Sequence, residues 1–96
     1  MRPCFLAVPR ISAFYGIVIT MYWEVGGRHQ TPHFHARYGE HEASIAIEPL
    51  AVLAGDLPPK ALGLVFEWAS LRRPELRANW ERVQRHQSLV PIPPLA

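Results

Sequence analysis

His33-Phe34-His35-Ala36-Arg37-Tyr38-Gly39-Glu40-His41-Glu42-Ala43-Ser44-Ile45-Ala46-Ile47-Glu48 reads as two strands joined at Gly39-Glu40. Strand side chains alternate between faces. A glycine in the first position of a two-residue loop suits a type II′ hairpin. Folded there, Tyr38 lies opposite His41, Arg37 opposite Glu42, His35 opposite Ser44 and His33 opposite Ala46. One face then holds Phe34, Ala36, Tyr38, His41, Ala43, Ile45 and Ile47, and packs on the rest of the protein. The other holds His33, His35, Arg37, Glu42, Ser44 and Glu48. A slip of one residue would put Phe34 and Ile45 in water, so the register is strongly specified.

Upstream, residues 14–24 (FYGIVITMYWE) are rich in β-branched and aromatic residues and read as a strand. Its odd positions, Ile17, Ile19, Met21 and Trp23, are apolar and should face the core. The even positions Val18, Thr20, Tyr22 and Glu24 grow polar, and Thr20 and Tyr22 extend the polar face if this strand pairs with the next. Residues 25–32 form a loop punctuated by Gly and Pro. Downstream, residues 50–57 (LAVLAGDL) suit a short fourth strand ending in a Gly-Asp turn. Pro58-Pro59 opens a helix, since proline is tolerated in a first turn. Over residues 60–72, Lys60, Gly63, Glu67 and Ser70 make one narrow wet stripe, and Trp68 belongs to the buried remainder. Pro74 starts a second helix whose buried stripe is Leu76, Trp80 and Val83, with His86 near its C-terminus. The proline-rich tail, residues 89–96, should be extended.

The sum is an α+β fold: a small antiparallel sheet of three to four strands followed by two C-terminal helices packed on one face. Residues 1–12 read as an irregular arm, 13–88 as a single α+β domain and 89–96 as an extended tail. The apolar tail is suited to docking on a second chain.

A chain of 96 residues holds one modest core. Apolar residues at 49% and charged residues at 19% exclude wholesale disorder. The net charge of +2 is too balanced to announce a nucleic-acid binder. Residues 57–96 nevertheless carry six basic against three acidic residues, and the second helix offers Arg73, Arg77, Arg82 and Arg85 to phosphates. The one cysteine, Cys4, fits a reducing compartment. The longest apolar run, residues 17–23, falls far short of the ~20 residues of a membrane span. No signal-peptide pattern opens the chain. A cytoplasmic location, with no membrane partner, is expected.

His33 and His35 point the same way beside an Arg37–Glu42 pair, and three readings compete for them. His-x-His on a strand can give two imidazoles to one divalent transition metal, with Glu42, Glu48 or His29 as third ligand. Alternatively, His33 and His35 are catalytic acid–base groups, with Arg37 as anion clamp and Glu42 as its partner. Either version makes a metal- or His-dependent nuclease or phosphoryl-type hydrolase. The third reading is a polar sheet surface whose Arg37–Glu42 contact contributes ~0.2–1 kcal/mol and which a partner covers. No Gly-rich phosphate loop, Cys-x-x-Cys or Gly-x-Ser-x-Gly is present.

Pro9-Arg10-Ile11-Ser12, Phe14-Tyr15-Gly16-Ile17, Pro32-His33-Phe34-His35-Ala36 and Tyr38-Gly39-Glu40 resemble a family of small bacterial proteins, domain-of-unknown-function family 4160. Glu42-Ala43, Leu57-Pro58 and the tryptophans of the two helices match it too. The Pro-His-Phe-His-Ala string is the most specific, and Thr31 stands where the family usually has a second proline. Members commonly begin Met-Pro where this chain has Val8-Pro9, which implies Val8 as an alternative start. N-terminal sequencing of the native protein that finds Met1 or Arg2 disposes of that. The family has no assigned activity. Its genes often adjoin those of domain-of-unknown-function family 2442, an arrangement like a toxin–antitoxin pair. The resemblance therefore implies an interaction protein whose partner is encoded nearby, or a homo-oligomer.

Overall fold

The computed structural model describes residues 10–24 and 31–96. Five strands, β1 (Arg10–Phe14), β2 (Ile17–Thr20), β3 (His33–Tyr38), β4 (His41–Ile47) and β5 (Leu50–Asp56), precede two helices, α1 (Pro59–Leu71) and α2 (Arg73–Gln84). The strands lie in chain order, each antiparallel to the next. The α+β class and the two C-terminal helices are as the sequence implied. Among the described residues, however, the sheet has five strands rather than three to four.

The additional strand comes from the expected arm. Residues 10–14 pair with β2 about Tyr15-Gly16, both of which have positive φ (50° and 80°). That combination defines a type I′ hairpin, whose twist matches the strands it joins. Tyr15 is a good strand former in a turn position, so the run 14–24 reads as one strand when it is really a turn followed by a strand. Ile17, Ile19 and Met21 are buried as expected, but Trp23 is 47% exposed. Trp23 lies past the paired part of β2 and packs instead against His86, with ring centroids 5.1 Å apart.

The β3–β4 register is the one read from the sequence, from Tyr38 opposite His41 to His33 opposite Ala46. Gly39 carries a positive φ, as its turn position requires. Phe34, Ala36, Ala43, Ile45 and Ile47 are buried, while Tyr38 and His41 beside the turn are exposed. β5 joins β4 through Glu48-Pro49, a cis peptide bond. It is bulged: Ser44 faces Ala54 and Ile45 faces Val52, which leaves Leu53 as the extra residue. Gly55 lies inside the strand opposite Ala43 rather than in a turn.

Ala61, Val65, Trp68 and Ala69 of α1 face the core, and Lys60, Gly63, Glu67 and Ser70 face solvent as expected. Trp68 packs on Phe14 and Phe34, with ring centroids 5.3 and 5.9 Å apart. The buried stripe of α2 is Leu76, Asn79 and Val83, with Trp80 only half-buried.

The tail is extended but tied to its own domain. Ile92 is buried, and its N–H donates to the Ile11 carbonyl at 2.8 Å. Trp68 Nε1–H donates to the Pro93 carbonyl at 2.8 Å. This corrects the expectation of a tail suited to a second chain: its apolar side chains complete this core and shield the β1 edge. No helix among the described residues is long and apolar enough to cross a membrane.

Candidate functional site

The polar face of β3 holds the expected pair of imidazoles. β2 pairs with β3 so that Thr20 lies opposite His35. Residues two and four further on, Tyr22 and Glu24, keep that parity and reach the same cluster. Tyr22 stacks flat on His35, with centroids 4.6 Å apart and planes within 5°. The Glu24 carboxylate bridges both imidazoles: Oε1 lies 2.7 Å from His33 Nε2, and Oε2 lies 3.7 Å from His35 Nε2. The imidazoles meet edge to face at 5.3 Å, and Trp80 of α2 packs on His33 at 5.2 Å.

Both histidines are buried, at 5% and 7% exposure, so their end of the sheet is not an open surface. The Glu24 side chain keeps 40% exposure. The far ring nitrogen of each imidazole is also held. His33 Nδ1 lies 2.9 Å from the Thr31 carbonyl oxygen, and His35 Nδ1 lies 3.2 Å from Ser44 Oγ. Burial holds the His35 imidazole below the ordinary histidine range, against the smaller opposing pull of Glu24. Burial likewise raises the Tyr22 phenol, and the Glu24 and Glu42 carboxylates add to the effect.

The other expected site residues stand apart. Arg37 and Glu42 face each other at 3.7 Å, both largely exposed, as a surface pair of small energetic weight. Glu48 pairs with Arg77 of α2 rather than with the imidazoles. His29 lies outside the described residues. Of the arginines expected to meet nucleic acid, Arg77 is taken by Glu48 and Arg82 donates to Asn79 Oδ1 at 2.8 Å. Arg85 lies 4.0 Å from Glu81, and Arg73 is half-buried. Glu24 is the residue that sequence reasoning passed over. Its signal was parity: it continues Thr20 and Tyr22 onto the histidine face.

The two edges of the sheet differ. The tail meets β1 at Ile11, whereas β5 has every residue except half-buried Leu50 exposed. Val52 and Leu53 are 38% and 40% exposed, and Asp56 is the only charge from Leu50 to Asp56.

The molecule is thus a small α+β domain with a His/Glu cluster on one face of its sheet and, among the described residues, one sheet edge left uncovered. Within that class, it belongs to the family described as "Domain of unknown function (DUF4160)". The family model matches residues 16–81, from the first hairpin turn into α2, and includes the whole His/Glu cluster. Searches of the curated proteins and of the solved structures returned no match.

Proposed function

We propose that this protein is a small interaction module, one component of a toxin–antitoxin-like two-gene pair, and that it receives its partner chain along β5. The observation that carries this reading is the bare edge. An edge strand presents a row of backbone N–H and C=O groups, and proteins ordinarily guard it with lysine, proline, a bulge or a covering segment. β1 has its covering segment in the tail. β5 has the bulge and a single terminal carboxylate but, among the described residues, no lysine and no covering segment, and Val52 and Leu53 are turned to water. A partner strand added there gains main-chain hydrogen bonds and covers both apolar side chains. The family resemblance supplies the class of partner, the product of the adjoining gene. The single Cys4 suits a reducing cytoplasm.

Co-expression with the neighbouring gene product is expected to yield one species on gel filtration at micromolar concentration. Val52→Lys and Leu53→Lys, each placed on an exposed side chain, should weaken the complex by about tenfold or more without unfolding the chain. Two separate monomers from the wild-type pair would defeat the reading. So would a complex indifferent to both lysines.

A further inference from the structure

We propose that Glu24, His33 and His35 bind one divalent transition-metal ion, a site independent of the docking edge. One ligand atom from each of the three residues falls within a 4.8 Å group. Ions of the zinc class sit ~2.0–2.2 Å from imidazole nitrogen and carboxylate oxygen. Two ligands of one such ion lie at most ~4.4 Å apart, so binding draws the three groups slightly closer together, and the Glu24 side chain, at 40% exposure, has room to contribute to that movement.

The hydrogen bonds leave one nitrogen of the cluster unanswered. A carbonyl oxygen can only accept, so the Thr31 contact places a hydrogen on His33 Nδ1 and turns Nε2 to Glu24 Oε1 at 2.7 Å. His35 Nε2, by contrast, is buried, without a hydrogen bond and aimed at the second carboxylate oxygen at 3.7 Å. Leaving such an atom unsatisfied is destabilising. One cation shared by both Nε2 atoms and the carboxylate satisfies all three groups together.

The outer contacts have the form that metal-bound histidines use. A ligating imidazole ordinarily gives its other N–H to a carbonyl, carboxylate or comparable oxygen, which fixes the tautomer and the ring plane. Here Thr31 does this for His33 and Ser44 for His35, while Tyr22 and Trp80 hold the ring faces. Two imidazoles with one carboxylate suit zinc, cobalt, nickel or copper rather than magnesium or calcium, which prefer oxygen alone. Three protein ligands leave a position for water.

The test uses the whole chain, stripped with EDTA and titrated with Co²⁺ and then Zn²⁺, following visible absorption and heat. One equivalent should bind, and magnesium in large excess should not displace it. Glu24→Gln, on a half-exposed side chain, should keep the circular dichroism of the wild type and weaken binding at least about tenfold. His35→Ala should abolish it. Absence of binding tighter than millimolar would overturn the proposal. So would wild-type affinity retained in both variants, which would assign the ion to other histidines.

Discussion

Gly55→Ala is expected to destabilise the protein severely, while Gly39→Ala is expected to be mild, although both glycines carry a positive φ. Gly39 has φ 61°, and a Cβ built there meets nothing within 4 Å. Its replacement costs the left-handed strain alone, ~1–2 kcal/mol. Gly55 has φ 73°, and a Cβ there would lie 2.2 Å from the Glu42 carbonyl oxygen and 3.2 Å from Ala43 Cα. Those atoms are backbone of the neighbouring strand, so no side chain can swing aside and β5 itself must move. Overpacking of that kind adds ~1–3 kcal/mol to the backbone strain. A domain of this size loses ~4–8 °C of melting temperature per kcal/mol. Thermal unfolding should therefore show Gly55→Ala melting on the order of 10–30 °C lower, and Gly39→Ala roughly 5–15 °C lower. Equal effects would show that close approach to Glu42 is not what sets β5. Because Gly55 lets the bulged strand hug β4, the same variant should also disturb partner binding on the outer edge.

Legibility in the sequence tracked strict periodicity. The β3–β4 ribbon alternates cleanly around Gly39, so its register and the shared direction of His33 and His35 followed from the pattern. The wet stripe of α1 followed from its three-or-four-residue spacing. β1 was not legible, since two prolines, Pro3 and Pro9, precede it and its turn contains Tyr15, a residue rarely held at positive φ. Glu24 lies past the last paired residue of β2, where ladder arguments stop, although side-chain parity continues. Burial of the histidines was not legible either. It comes from Tyr22 stacking on one ring and Trp80 covering the other, and Trp80 read by itself as a core residue.

The distribution of groups also bears on the catalytic alternatives. Arg37 and Glu42 sit in solvent facing one another, whereas His33 and His35 turn their Nε2 atoms toward Glu24. The guanidinium and the imidazoles thus belong to two neighbourhoods, one wet and one buried. An anion clamp working with the imidazoles would need Arg37 to leave Glu42, a contact weak enough to exchange. The proposed metal site leaves the Arg37–Glu42 pair as it stands.

Asn79→Ala is the second substitution expected to have a large effect, and it acts through the tail. Asn79 is fully buried in the apolar stripe of α2, yet both its amide nitrogen and its amide oxygen are hydrogen-bonded. Nδ2–H donates to the Val90 carbonyl at 2.9 Å, while Oδ1 accepts from the Val90 N–H at 2.9 Å and from Arg82 Nη1 at 2.8 Å. The side chain thus imitates one residue of a strand, offering a donor and an acceptor to a passing backbone. Alanine removes all three bonds and leaves a small void. Each net hydrogen bond is worth ~0.5–1.5 kcal/mol, and water can reach half-exposed Val90, so the loss should be about 2–4 kcal/mol. That corresponds to a melting temperature roughly 10–25 °C lower. Freed at Val90, the tail hangs on Ile92 and the Trp68–Pro93 contact, so proteolysis should clip residues 89–96 much faster than in the wild type. Asn79→Asp keeps the oxygen that serves Val90 and Arg82 but turns an acceptor toward the Val90 carbonyl, and should fall between the two. Loss of the tail bares the β1 edge at Ile11, giving the sheet two open edges instead of one, and the variant should aggregate where the wild type does not. If Asn79→Ala melts within a few degrees of the wild type and its tail stays protected, the Ile92 and Trp68 contacts hold the strap by themselves. The side-chain clamp would then have no part in guarding that edge.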